Sequence, residues 1–194
     1  SRASRTLGTH ADLRRTVAEE LAAAGLVLES APVLVRHLLE VLATDAGPDA
    51  IRARVARPLS GLRVAPYYGC LAPREGASAA AGNGSSPSRP LEEVLLALGA
   101  RVADFPLSDH CCGGRAAESS EETATSLQVR ILRSATERGA EVIAVACPRC
   151  ERRLSRGQEA VNRRFGTSFA IPVRFFTSLA ADAFGLDDGP AAPS

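Results

Sequence analysis

The chain contains no methionine, no tryptophan and no lysine; all 23 basic residues are arginine. With Met absent even at position 1, the expectation is a processed chain or the remainder of a longer one. Aromatic residues are few, two Tyr and six Phe among 194 positions. No apolar run approaches the roughly 20 residues that cross a bilayer, so direct membrane insertion is not expected. Ser1-Arg2-Ala3-Ser4 has no apolar stretch behind it and does not read as a signal peptide. Net charge is also missing. The 23 arginines meet 22 acidic residues to leave +1, so no global field draws in nucleic acid or anionic lipid. What is present is ordinary for a globular protein: 45% hydrophobic and 23% charged residues in 20.2 kDa, enough for one domain and an appendage.

The five cysteines are an odd number, and four of them form two tight pairs, Cys111-Cys112 and Cys147-x-x-Cys150. That pattern points away from a secreted disulfide framework and towards metal or redox chemistry in a reducing compartment, the cytoplasm.

Residues 1–58 read as helical. Leu13, Val17 and Leu21 recur at helical spacing up to Gly25, and Val33 to Leu42 form a second amphipathic helix that stops at Gly47-Pro48. A short Arg-rich helix from Asp49 to Arg57 follows. Beyond residue 58, strands alternate with helices. Strands are expected at Arg63–Tyr68, Ala100–Phe105, Glu141–Ala146 and Ile171–Phe176, and helices at Leu91–Leu98, Glu118–Arg138, after Cys147 and at Thr177–Phe184. Ala77 to Pro90 reads as a flexible loop and the tail from 187 to 194 as disordered. This alternation implies an α/β fold with a mainly parallel sheet and flanking helices.

An internal repeat is also visible. Ser1-x-x-Ser4 lies over Cys147-x-x-Cys150, and Val33-Leu34-Val35-Arg36-His37 over Ile171-Pro172-Val173-Arg174-Phe175. On that reading residues 1–58 are the back half of an earlier copy, without a metal of its own.

Cys70, Cys111, Cys112, Cys147 and Cys150 each follow a predicted strand or open the next helix. Turns beyond the carboxyl ends of parallel strands converge on one crevice, so the five thiols are expected at one site. A buried structural role fits a lone Cys. It fits Gly69-Cys70, Cys111-Cys112-Gly113-Gly114 and Cys147-Pro148-x-Cys150 poorly, because glycines there let backbone come close. The CxxC alone is shared by zinc sites, iron–sulfur sites and redox dithiols. Adjacent Cys111 and Cys112 send their side chains apart, which suits separate metal atoms of a cluster better than one ion. Zinc and an ordinary [4Fe-4S] cube take four ligands, one fewer than the thiols available.

These motifs resemble the CCG, or cysteine-rich, domain of the B-type subunit of heterodisulfide reductase, whose relatives occur in iron–sulfur subunits of glycolate, lactate and glycerol-3-phosphate oxidising complexes. Residues 35–42 and 58–64 resemble the segment before the second copy in that protein. The resemblance implies a C-terminal CCG domain at 59–186, preceded by the end of a degenerate first copy at 1–58. It also implies one iron–sulfur cluster, a noncubane [4Fe-4S] held by Cys70, Cys111, Cys112, Cys147 and Cys150, with Gly69, Gly113 and Gly114 lining it. A disulfide substrate, a ferredoxin-like iron–sulfur subunit and a flavoprotein subunit are implied as partners. The alternative function is a zinc-binding structural or docking module. Where the family often carries a histidine beside the first cysteine, this chain has Tyr67, Tyr68 and Leu71, which leaves His110 as the candidate proton donor. Arg149, Arg152, Arg153, Arg156, Arg163 and Arg164 form either a solvated face or a positive surface that offsets cluster charge and attracts an anionic substrate.

Overall fold

The computed structural model describes residues 9–28, 36–71 and 89–186. Ser1 and Ser4, Val33 to Val35 of the repeat, residues 77–88 of the expected loop, and the 187–194 tail lie outside them. The chain divides into two compact units, Ser1–Val41 and Leu42–Ser194.

The first unit contains helix α1 (Ala11–Ala23) and the single helical turn α2 (Leu38–Val41). Gly25, at φ +74°, follows α1 in a left-handed conformation that other residues rarely adopt.

The second unit opens with a π-helical turn, Leu42–Ala46, and helix α3 (Gly47–Arg54). Gly47-Pro48 therefore begins a helix as well as interrupting one. Gly47 takes φ +77°, and Pro48 sits in the first turn, where a missing N–H leaves no bond unmade. The order then runs β1 (Arg63–Tyr67), a 3-10 turn at Gly69–Leu71, α4 (Pro90–Ala97), β2 (Arg101–Val102), a 3-10 turn at Ala116–Glu118 and α5 (Glu121–Glu137). It ends with β3 (Val142–Val145), α6 (Pro148–Arg156), α7 (Gln158–Phe165), β4 (Val173–Phe175) and α8 (Phe176–Phe184).

The four strands form one all-parallel sheet in the order β2-β1-β3-β4, flanked by helices. Val64 pairs with Val102 on one side and Val142 on the other, and Ile143 pairs with Val173. β3 is buried at every position, as a strand covered on both faces must be.

β2 is shorter than the apolar run suggested, and Pro66 supplies a reason. Leu62 and Val64 accept hydrogen bonds from Arg101 and Ala103, and Tyr68 donates to Ser108. The even-numbered backbone groups of β1 thus face β2, and Pro66 is the one in that row with no N–H to give. Beyond Ala103 the neighbouring chain leaves the ladder through Phe105-Pro106. The core between β1, β3, α5 and α6 is mainly aliphatic, built on Ala65, Ile131, Leu132, Ile143, Val145 and Leu154, and it reaches up to Cys112 and Cys150.

Candidate metal centre

All five thiols stand at the carboxyl rim of the sheet. β1 delivers Gly69-Cys70, the segment after β2 delivers Cys111-Cys112, and β3 delivers Cys147, the N-cap of α6. Pro148 at the start of α6 fixes the entry geometry, so Cys150 falls on the first helical turn, where the helix dipole favours an anionic sulfur. Glu151, one residue on, accepts from the Phe175 backbone at 3.0 Å and locks α6 to the end of β4.

The Sγ atoms of Cys112 and Cys150 lie 3.3 Å apart, and both residues are buried. Cys70 and Cys111 are exposed and Cys147 is intermediate. Neighbouring Cys111 and Cys112 thus occupy different environments, as diverging side chains require. Cys111 is held by the Gly113 N–H, which donates to its sulfur at 3.4 Å.

The hydrogen bond from Cys150 pushes the Cys112 thiol down to about 6 against the opposing effect of burial, aided by the Gly114 backbone and the Arg153 charge. The same bond, then burial and the charges of Cys112 and Cys147, pushes Cys150 up. The Tyr67 hydroxyl is raised first by burial and then by Cys112, Cys150, Cys111 and Cys70.

The glycines are shaped to this arrangement. A Cβ on Gly69, which has φ +56°, would sit 3.2 Å from Cys150 Sγ and 3.3 Å from the Tyr67 ring. One on Gly114 would sit 3.4 Å from Cys112 Sγ. On Gly113 it would lie 2.8 Å from Ala124 Cα, so that glycine lets the turn rest directly on α5. At Gly69 and Gly114 the backbone approaches sulfur so closely that a Cβ would crowd it, and the donor set is uniformly soft thiolate. Both features fit a thiophilic metal or iron–sulfur group. Among the described residues no three His, Cys, Asp or Glu side chains are gathered as around one metal ion.

His110 is placed beside the site by its backbone more than its ring. Its carbonyl accepts from the Tyr67 hydroxyl at 2.5 Å, while its Nδ1 lies 3.1 Å from Asp109 Oδ1 in the exposed turn. Two contributors escape a reading based on motifs. Tyr67 is fully buried with its hydroxyl bonded to the His110 carbonyl beside Cys111, and its signal was its place at the end of a strand two residues before Gly69. Arg153 stands out from the arginine run only through its helical position, one turn beyond Cys150 and level with Glu121, to which it is hydrogen-bonded.

Residues 64–155 match the family described as Cysteine-rich domain (CCG). The chain is 34% identical over 154 residues to the B-type subunit of the Ferredoxin/F(420)H(2)-dependent CoB-CoM heterodisulfide reductase of Methanosarcina acetivorans, covering 78% of this chain and 51% of that protein. It is 30% identical over 152 residues to the 8-methylmenaquinol:fumarate reductase membrane anchor subunit of Wolinella succinogenes, covering 78% and 52%. The chain spans about half the length of these curated relatives. Among solved structures, a hypothetical protein from Helicobacter pylori shares the fold, with a TM-score of 0.68 at 12% identity, over 96% of this chain and 33% of that one. Among the described residues no helix is long and apolar enough to cross a membrane. The parallel sheet, the thiols along its rim and these similarities identify residues 64–155 as a CCG cysteine-rich domain, in a chain similar to the B-type subunits of heterodisulfide reductase.

Proposed function

We propose that this chain is an iron–sulfur redox subunit of the heterodisulfide reductase B type. Cys70, Cys111, Cys112, Cys147 and Cys150 together hold one polynuclear cluster, a noncubane [4Fe-4S]. The observation that carries this reading is the split between adjacent Cys111, exposed, and Cys112, buried against Cys150. Side chains diverging in this way suit separate iron atoms and would need a reshaped turn to close on one ion.

When bound, such a cluster supplies one-electron steps to a disulfide or between partner subunits. The chain's own residues prepare the place. Gly69 and Gly114 keep Cβ atoms away from the sulfurs of Cys150 and Cys112. Tyr67 holds the backbone ahead of Cys111, and its proton is committed to the His110 carbonyl. The exposed His110 ring, steadied by Asp109, is the group that hands a proton to a departing thiolate. A ferredoxin-like iron–sulfur subunit and a flavoprotein subunit supply the electrons within a cytoplasmic complex. Residues 59–186 act as the CCG domain, and 1–58 as the end of an earlier copy.

Anaerobic reconstitution followed by iron, zinc and acid-labile sulfide analysis tests this reading. A brown protein with about four iron and four sulfide per chain is expected. A colourless protein with stoichiometric zinc would replace it with the structural-module reading.

A further inference from the structure

A second concentration of chemistry lies on the outer side of the Gly114 turn. A cleft of about 390 Å³ runs between Ala116–Glu118 and the start of α5 on one wall and α6 with the start of α7 on the other. Its charged lining is Arg149, Arg152, Arg153 and Arg156 against Glu118 and Glu121. In a protein whose charges otherwise balance, four guanidiniums here meet two carboxylates.

The four arginines are spaced three and four residues apart, which puts them on one face of α6. Like charges at such spacing destabilise a helix, so this face is costly unless something neutralises it. The carboxylates do so only in part. Arg149 pairs with Glu118 at 3.2 Å, and Arg153 is hydrogen-bonded to Glu121. Arg153 is also fixed from behind, because buried Gln128 donates to its carbonyl oxygen. Its Nε is nevertheless buried with no hydrogen-bond partner among the described residues, a deficit that native structures rarely leave unmet. Arg152 and Arg156 are exposed and have no ion-pair partner among the described residues. Small residues, Gly114, Ala117, Gly157 and Ala160, complete the lining. The volume lies in the range of small-molecule sites, and guanidinium forks match the oxygens of phosphate and carboxylate.

We propose that this arginine cleft is a binding site for a small polyanion of the phosphate or polycarboxylate class. Arg152 and Arg156 grip its oxyanion. The site is separate from the sulfur centre and needs no metal there. Only the Gly114 turn divides the two, since a Cβ on Gly114 would lie 3.1 Å from Arg149 Cδ and 3.4 Å from Cys112 Sγ.

The test is calorimetric titration of the full chain at low ionic strength with inorganic pyrophosphate, and in parallel with citrate. One saturable site is expected for at least one probe. Binding by pyrophosphate alone assigns the phosphate class, and by citrate alone the polycarboxylate class. The Arg152→Gln/Arg156→Gln variant should weaken binding by about tenfold or more. Arg163→Gln/Arg164→Gln removes the same charge from α7 outside the cleft and should change it by less than about twofold. Both pairs are exposed, and circular dichroism verifies that each variant keeps its fold. Absence of saturable binding with both probes overturns the proposal. Equal weakening by the two double variants does so as well, because it would reduce the effect to diffuse charge.

Discussion

The Tyr67 hydroxyl donates to the His110 carbonyl oxygen at 2.5 Å, tying the end of β1 to the backbone just before Cys111. That bond joins two of the three segments that carry thiols. Tyr67→Phe keeps the ring and its packing on Phe105 while removing the tie. The expected cost to stability is about 1 kcal/mol, with a larger loss of iron retained through anaerobic gel filtration. Iron retention equal to wild type would show that the turn is held without this bond.

On the proposed reading, Cys111 and Cys112 are each expected to be required for the cluster. Cys112 is buried against Cys150 and Cys111 faces outward, so neither can stand in for the other. Single Cys111→Ser and Cys112→Ser variants, reconstituted without oxygen, should each lose or convert the visible and paramagnetic signature of the cluster. An unaltered spectrum and iron content in either variant would mean that four thiolates suffice.

Gly113 and Gly114 should separate in thermal unfolding. At Gly113 an added Cβ meets the Ala124 backbone at 2.8 Å, and φ is +79°. Gly113→Ala should cost on the order of 2–4 kcal/mol. At Gly114 the nearest atom is the flexible Arg149 Cδ at 3.1 Å, so Gly114→Ala should lower the melting temperature much less. Equal losses would contradict the contact of the turn with α5.

In chain stripped of metal under reducing conditions, alkylation should follow exposure. Cys70 and Cys111 are expected to react first, Cys147 more slowly, and Cys112 and Cys150 last, since they belong to the core. Mass spectrometry of timed digests reads the order. Early modification of Cys150 would show that the core near α6 opens without metal.

The sheet was legible because its signals are local. The apolar run Val142–Val145 between Gly139 and Cys147 could only be a buried strand, and Pro148 announced a helix start. The carboxyl-rim position of every cysteine followed from that alternation. The length of β2 was not legible, since an apolar run does not reveal that Pro66 on the neighbouring strand has no N–H to offer. Nor was the inward turn of Tyr67, because a tyrosine at a strand end packs inward or outward according to what lies across the sheet. The arginine run divided only in three dimensions: Arg149 and Arg153 face carboxylates on distant segments, which sequence spacing along α6 cannot show.

The pairing of β1 with β3 joins Val64 to Val142, 78 residues further along the chain. During synthesis β1 must therefore wait for β3 to emerge, and α6, which carries the last thiol, follows within a few residues. Until then Cys70, Cys111 and Cys112 are part of an unfinished chain with no complete set of sulfur donors. Pairing of β1 with β3 and assembly of the thiols therefore fall close together in time, so a cluster of the proposed kind would be inserted only after the chain through α6 has been made.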